Sequence, residues 1–332
     1  MPERERQTTM RIATFNLENL GATRPGDQSV AARLALLRPQ LLRLDADVLC
    51  IQEVNAPRDG TDGARTLSAL DRLLEETPYA GYARCATHHP EGSAPMDRHN
   101  LVIASRLPLQ SCRQVFHDLV PPPRHGLLRD DHDAGAVLAW ERPLLHATLG
   151  LAGGRVLHVL NLHLRAPLAV SLPGHKNGPF SWDSTAAWAE GFMIAALKRS
   201  GQALEARLVV DAILDQDPQA LIAVAGDFNA EAAESPTRIL MACPDDTGNT
   251  ALSGRALVAL EHGLPAERRY TVIHGGRHVM LDHLLASANL AASCRGMEIH
   301  NEALSDELTA FAMNSQSPES YHAPVVATFE LD

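Results

Sequence analysis

The sequence predicts a mixed α/β (α+β) fold, on three observations. Short apolar runs that end in polar residues recur along the chain, such as Leu221 to Ala225 leading into Gly226-Asp227-Phe228-Asn229. Between them lie stretches with leucines at helical spacing. A hydrophobic content of 45% over 332 residues is ample for a sizeable core. No repeat or linker-like stretch interrupts the pattern, so residues 11–332 read as one domain behind a disordered segment 1–10.

Arg11 to Leu17 reads as the first strand, with Ile12, Thr14 and Asn16 alternating against Ala13, Phe15 and Leu17. Val30 to Leu44 has helical spacing at Val30, Leu34, Leu37, Leu41 and Leu44, and Pro39 is expected to kink or split it. Asp47 to Ile51 is the next strand and delivers Gln52 and Glu53 at its end; Ala64 to Glu76 is a helix. Asn100 to Ala104 and Gly135 to Trp140 read as short strands, and Leu144 to Leu149 with Arg155 to Leu164 as a hairpin around Gly153-Gly154. The segment 166–201, richer in Pro, Gly and Ser and carrying Phe180, Trp182 and Trp188, reads as an insertion before a helix over Leu204 to Leu214. Its aromatic residues suit either base stacking or plain loop packing. Helices at Ser235 to Met241 and Leu257 to His262 then precede strands at Arg269 to Ile273, Met280 to Ser287 and Val325 to Leu331.

A net charge of -11, with Lys176 and Lys198 as the two lysines, disfavours tight nonspecific binding to nucleic acid. A polyanion would need a local arginine patch or a bound metal. Met1 to Thr9 lacks the apolar stretch of a signal peptide and no run is long enough to span a bilayer, so a cytoplasmic location is expected. The five cysteines are scattered, odd in number and without C-x-x-C spacing, and read as reduced and mostly buried. The 16 histidines show no spacing of a dedicated zinc motif.

Chemistry concentrates at strand ends. Asn16 with Glu18 and Asn19, Glu53, Asn161 with His163, Asp227 with Asn229, Asp282-His283 and Tyr321-His322 all present oxygen or imidazole groups where a core strand opens. Alternation puts Asn161, His163 and Arg165 on one face and Leu162 and Leu164 on the other. Buried oxygen groups of this kind suit a hard divalent cation or a phosphate ester.

The blocks Thr14-Phe15-Asn16-Leu17-Glu18-Asn19-Leu20, Asp47 to Val54, Asn161-Leu162-His163-Leu164, Gly226-Asp227-Phe228-Asn229, Leu281-Asp282-His283-Leu284-Leu285 and His322-Ala323-Pro324-Val325 follow one another in a specific order. In that order they resemble the endonuclease/exonuclease/phosphatase superfamily, the deoxyribonuclease-I-like hydrolases. The resemblance implies a four-layer sandwich of two mixed, mostly antiparallel β-sheets flanked by helices, and a phosphodiesterase or nuclease dependent on Mg2+ or Mn2+. It implies Glu53 as main metal ligand, Asn16 assisting at metal and phosphate, and Asp227 by the metal as the group that activates water, with Asn229 beside it. His163 would contact the scissile phosphate and His322, held by Asp282, would stabilise its charge. Asn100, Arg98 and Arg165 are the candidate substrate contacts. Tyr321 stands where the family commonly has an aspartate, which points to a single cation. The substrate expected is a phosphoester, a nucleic acid or nucleotide first; a phosphomonoesterase acting on a small metabolite or lipid headgroup, or a catalytically silent phospholigand binder, is the alternative.

Overall fold

Alternation of apolar side chains builds two six-stranded sheets packed face to face, in a computed structural model that describes residues 8–21, 30–58, 63–128, 135–178, 181–312 and 319–331. In chain order the strands are β1 (Thr8–Leu20), β2 (Val48–Val54), β3 (Ala83–Ala86), β4 (Asn100–Ser105), β5 (Leu109–Val115) and β6 (Leu144–Gly150). They continue with β7 (Val156–His163), β8 (Leu221–Asp227), β9 (Leu257–Ala259), β10 (Asp282–Ser287), β11 (Cys294–Ile299) and β12 (Val325–Leu331). One sheet has the order β11-β12-β1-β2-β4-β3 and the other β9-β10-β8-β7-β6-β5. The central pairs β1-β2 and β7-β8 are parallel; the remaining neighbours are antiparallel.

Three apolar layers follow from the period of two. Ile12, Val48, Cys50 and Ile103 of the first sheet meet Leu145, Val159, Ala223 and Leu284 of the second to form the inter-sheet core. The opposite face of the first sheet, with Phe15, Leu17, Leu49 and Ile51, is covered by α1 (Val30–Leu44) and α2 (Ser68–Leu74). The outer face of the second, with Leu160, Leu162, Val224 and Phe228, is covered by α3 (Thr185–Gln216) and α4 (Ser235–Met241). The result is the expected helix-sheet-sheet-helix sandwich. No helix among the described residues is long and apolar enough to cross a membrane.

Several elements depart from expectation for local physical reasons. Strand β1 begins at Thr8, which pairs with Leu331, so residues 8–10 of the segment expected to be disordered are ladder residues. Helix α1 runs unbroken through Pro39, because Leu34, Leu37, Leu41 and Leu44 are all buried against the first sheet; this packing outweighs the lost backbone bond, worth about 3 kcal/mol. Gly135 to Trp140 contributes only a two-residue strand, Ala136–Val137, and the strand expected at Arg269 to Ile273 is the short piece Val272–His274. Leu257 to His262 is not a helix: it is β9 followed by a 3-10 turn, since Leu257 and Ala259 alternate into the core.

The largest departure is in the expected insertion. Residues 185–201 are the first half of α3 rather than a loop, capped by Ser184, whose hydroxyl accepts from the Ala187 N–H. Its glycines mislead because they serve packing: a Cβ at Gly191 would run into the Val170 carbonyl and one at Gly201 would sit 2.6 Å from the Trp140 ring. Trp182 packs on a small buried cluster with Leu172 and Ile194, Trp188 stacks on Phe192 in the exposed part of the helix, and Phe180 lies outside the described residues.

The cysteine expectation also fails. Cys85 on β3 and Cys112 on β5 form a disulfide that joins the corresponding edge strands of the two sheets. Cys50 is a buried thiol, and Cys243 and Cys294 are half-buried. With the partners 27 positions apart, spacing carries no hint of this bridge, because it exists only once the sheets stack.

Gly226 is where sequence pattern and sheet geometry coincide. It lies opposite Leu162 in the β7-β8 ladder with φ of 144°, and a Cβ there would overlap the Leu162 carbonyl. Gly226→Ala is therefore expected to lower unfolding free energy by more than about 3 kcal/mol in urea titration, whereas Gly254→Ala, with nothing within 4 Å, stays within about 0.5 kcal/mol.

Candidate active site

Along each central strand the inter-sheet face changes from apolar to polar at the same end. On β1 the inward sequence is Ile12, Thr14, Asn16; on β2 Val48, Cys50, Gln52; on β7 Val159, Asn161, His163; on β8 Ala223, Ala225, Asp227. Asp227 is paired in register with His163 on one side and with Asp282 on the other, which fixes three functional groups in one row. Gln52 donates to the Asn161 carboxamide at 2.7 Å, and Asn161 donates to the backbone carbonyls of Ile51 and Val102 at 3.0 and 2.9 Å. Asn161 thus ties the two sheets together directly beneath the site.

Glu53 reaches the same rim by a different device. In strict alternation after Gln52 it would face α1. A register shift in the β2 pairings and a left-handed backbone at Glu53, φ 59°, turn it inward. Its Oε2 accepts from the Asn19 N–H at 2.9 Å and its Oε1 from the Asn16 amide at 3.4 Å. Five of the eight non-glycine residues with left-handed backbone among the described residues, Glu18, Asn19, Glu53, His99 and Asn229, surround this site. Such strain persists where the surrounding structure imposes it.

Asp227 is fully buried and heavily held. Its Oδ1 accepts from the Asn229 N–H at 2.8 Å, and its Oδ2 from the amides of Asn16 at 3.0 Å and Asn229 at 3.2 Å. Burial, and then the Asp282 carboxylate, push the Asp227 carboxyl up to about 7. The Asn16 amide orientation is set by chemistry: its Oδ1 must accept from the Glu18 N–H at 2.8 Å, so its nitrogen faces the carboxylates. Asn16 is therefore a bridge between Glu53 and Asp227.

His322 donates through Nδ1 to Asp282 at 2.8 Å, the pairing expected. Burial opposes its charge, but Asp282 and then Asp227 outweigh it and hold the imidazole well above its ordinary value. His163 behaves oppositely: burial, followed by Arg142, His99 and His322, holds it well below. His99, driven mainly by burial and Arg142, falls to about 4. The site is thus divided into an imidazolium on the Asp282 side and two neutral imidazoles on the Glu53 side.

The remaining expected residues separate clearly. Asn100 is buried and turned away: it accepts from Met96 N–H and donates to the carbonyls of Val54 and Met96, which makes it a structural brace and not a substrate contact. Arg98 is exposed beside Asp97, 3.6 Å away. Arg165 carries a buried Nε without a partner among the described residues, and its backbone N–H donates to Gln202. Tyr321 donates its N–H to the Glu18 carboxylate at 2.8 Å, and burial pushes that carboxyl up to about 7. An acid from β1 thereby stands next to the final histidine, where the sequence offers Tyr321.

Two residues were not anticipated. His99 precedes β4 and points at Glu53, and Arg142, half-buried, donates to the Leu164 carbonyl at 3.0 Å with its charge against Glu53 and Asp227. Neither sits at a strand-end motif, and no periodicity marks them. Whether the residues suit a cation can be judged from their unmet needs. Asp282 Oδ1 and the His99 Nδ1 that faces Glu53 are buried without partners among the described residues. Glu53, His99 and His163 form one close donor group, and Asp227, Asp282 and His322 another. Carboxylate and neutral imidazole donors facing one another fit a divalent ion.

Comparison with known proteins agrees with this architecture. The model of the endonuclease/exonuclease/phosphatase family matches residues 13–306. Among solved structures, truncated TDP2 from Caenorhabditis elegans superposes with a TM-score of 0.56 at 16% identity, covering 97% of this chain and 98% of that one. An AP endonuclease from Archaeoglobus fulgidus gives 0.52 at 20% identity, covering 97% and 100%. The 3' phosphatase NExo from Neisseria, bound to a product DNA hairpin, gives 0.54 at 16% identity, again covering 97% and 100%. Among curated proteins none matches the chain.

Behind the site, His283 joins Glu261 through Nδ1 and donates through Nε2 to the Ala230 carbonyl at 2.9 Å, which anchors the turn that carries Asn229. Both ring nitrogens face acceptors, so the ring is an imidazolium. Burial opposes this charge, but Glu261 outweighs it and raises the pKa. A raised folded-state value contributes stability that is complete below the unfolded pKa of about 6.5 and is lost as pH rises through the folded value. Glu261→Gln should lower unfolding free energy by about 3 kcal/mol near pH 6, and the gap to wild type should narrow as pH rises through the raised folded value in urea titrations.

Proposed function

The chain belongs to the endonuclease/exonuclease/phosphatase family, and from this premise we propose that it is a divalent-metal-dependent phosphodiesterase or nuclease that attacks phosphorus with an activated water. The observation that carries the reading is the row His163, Asp227, Asp282, fixed by strand register and closed by His322 and Glu53. A buried carboxyl with a pKa near neutrality beside an imidazolium is a matched base and charge stabiliser for hydrolysis of a phosphoester.

In this mechanism Asp227 orients the attacking water and takes its proton, held in place by Asn16 and Asn229. His322, charged and aligned by Asp282, donates to a phosphoryl oxygen as negative charge develops there. Arg142 and Arg165 add fixed positive charge along the same wall. Glu53, with Asp227 and the facing imidazoles, would hold the cation, Mg2+ or Mn2+, whose charge neutralises the phosphate when bound.

A nucleic acid or nucleotide is the favoured substrate class, supported by the Asn16-Leu17-Glu18-Asn19-Leu20 block and by a structural relative bound to product DNA. The chain's negative charge makes a short single strand a better fit than a long duplex tract.

Hydrolysis of bis(p-nitrophenyl) phosphate with Mn2+ should be detectable for wild type and fall by about 10²- to 10⁴-fold in Glu53→Ala, Asp227→Asn and His322→Ala; equal rates in Glu53→Ala would overturn the reading. Across single-stranded DNA, RNA, cyclic nucleotides and inositol phosphates, the largest kcat/KM is expected for a nucleic acid. Turnover should saturate at a single equivalent of Mn2+, because Tyr321 supplies no carboxylate, burial pushes the Glu18 carboxyl beside it up to about 7, and His322 Nδ1 is engaged by Asp282.

A further inference from the structure

The donor set facing Glu53 contains nitrogen as well as oxygen. Nδ1 of His99 lies 3.7 Å from Glu53 Oε2, Nε2 of His163 lies 3.5 Å from Glu53 Oε1, and one ligand atom from each residue falls within 4.8 Å of the others. The two nitrogen-to-oxygen separations exceed an N–H···O bond of about 2.7 to 3.2 Å. The 3.5 Å pair fits the edge of a coordination shell whose donors sit about 2.0 to 2.2 Å from the ion, roughly 3.0 to 3.6 Å, and the 3.7 Å pair lies just outside it.

Both imidazoles are aimed at this point. His99 adopts a left-handed backbone, φ 56°, with its N–H held by Asn55 Oδ1 at 3.0 Å, and its ring packs edge to face on His163 at 5.8 Å. The His163 side chain is 1% exposed and its Nε2 also lies 3.4 Å from Asp227 Oδ2. The unpartnered Nδ1 of His99, among the described residues, is the atom that faces Glu53. Mg2+ prefers an octahedron of oxygens and retains its waters, whereas imidazole suits the later first-row ions.

We propose that Glu53, His99 and His163 form a pocket of two imidazoles and one carboxylate that selects a borderline transition dication, such as Zn2+ or Co2+, over Mg2+. The inference rests on the hydrolase reading only in taking Glu53 as the ligand of the working cation. Three protein donors leave open positions for water and a phosphoryl oxygen, as in catalytic zinc sites.

Co2+ is the probe, because its visible d–d absorption reports nitrogen ligation without any turnover. Titration of the metal-free protein should show one tight equivalent that millimolar Mg2+ fails to displace. His99→Ala and His99→Gln, compared by circular dichroism to verify folding, should each weaken Co2+ at least tenfold, since loss of even an outer-shell partner costs about 10- to 100-fold, and weaken Mg2+ by less. Displacement of Co2+ by an equal concentration of Mg2+, or unchanged Co2+ affinity in both folded variants, would overturn the proposal. Hydrolysis of bis(p-nitrophenyl) phosphate is read separately. Histidine-dependent Co2+ binding without turnover leaves the pocket standing and removes the hydrolase; metal-dependent turnover with unchanged Co2+ affinity in His99→Gln does the reverse.

Discussion

The burial of Asp227 between two sheets is the constraint around which the rest is organised. An isolated carboxylate in such a place would be strongly disfavoured, and here Asp282 and Glu53 lie close by and add to the repulsion. The protein answers with fixed donors. The side-chain amides of Asn16 and Asn229 and the Asn229 backbone N–H supply three hydrogen bonds; Asn16 Oδ1 accepts from the Glu18 N–H and Asn229 Nδ2 also donates to the Leu164 carbonyl, which holds both amides in place. The carboxyl is therefore held in one geometry with a proton affinity near neutrality, the state a general base requires.

The inter-sheet layer supplies the platform. Apolar packing from Ile12, Val159 and Ala223 passes through one step of small or neutral polar residues before it meets the charged rim. In that step Thr14, Gln52 and Asn161 bond to each other, and Asn161 of the second sheet bonds to backbone carbonyls of the first, which leaves their polar atoms satisfied and registers one sheet on the other. Rigidity of the site is thus a property of the sandwich as a whole. The Cys85–Cys112 bridge closes one edge of the same sandwich.

Charge within the site is asymmetric, and this division gives each half its task. Asp282 keeps His322 protonated, which suits contact with an anionic phosphoryl oxygen, while burial and Arg142 keep His163 and His99 neutral, which suits ligation. Strained backbone at Glu53, His99 and Asn229 is the local expense of bringing both halves to one rim.

Much of this was legible in the chain because a period of two is a property of consecutive residues. Alternation alone put Asn16, Asn161, His163 and Asp227 on the inward faces, and the order of six strand-end blocks indicated the sandwich and the Asp282-His322 pair. Other features arise only when distant segments meet. Strict alternation would have sent Glu53 outward, and a bulge in the ladder reverses it. Asn100 looked like a cleft residue and instead braces Val54 and Met96, whereas its neighbour His99 carries no motif yet faces Glu53. The glycines of 185–201 resembled loop composition until Trp140 and Val170 were seen packed against them, and Cys85 and Cys112 became partners only through sheet stacking. Residue order determines which face a side chain occupies; register shifts, close approaches and pairings across the sandwich are set by the packed structure, since their energies depend on neighbours far away in sequence.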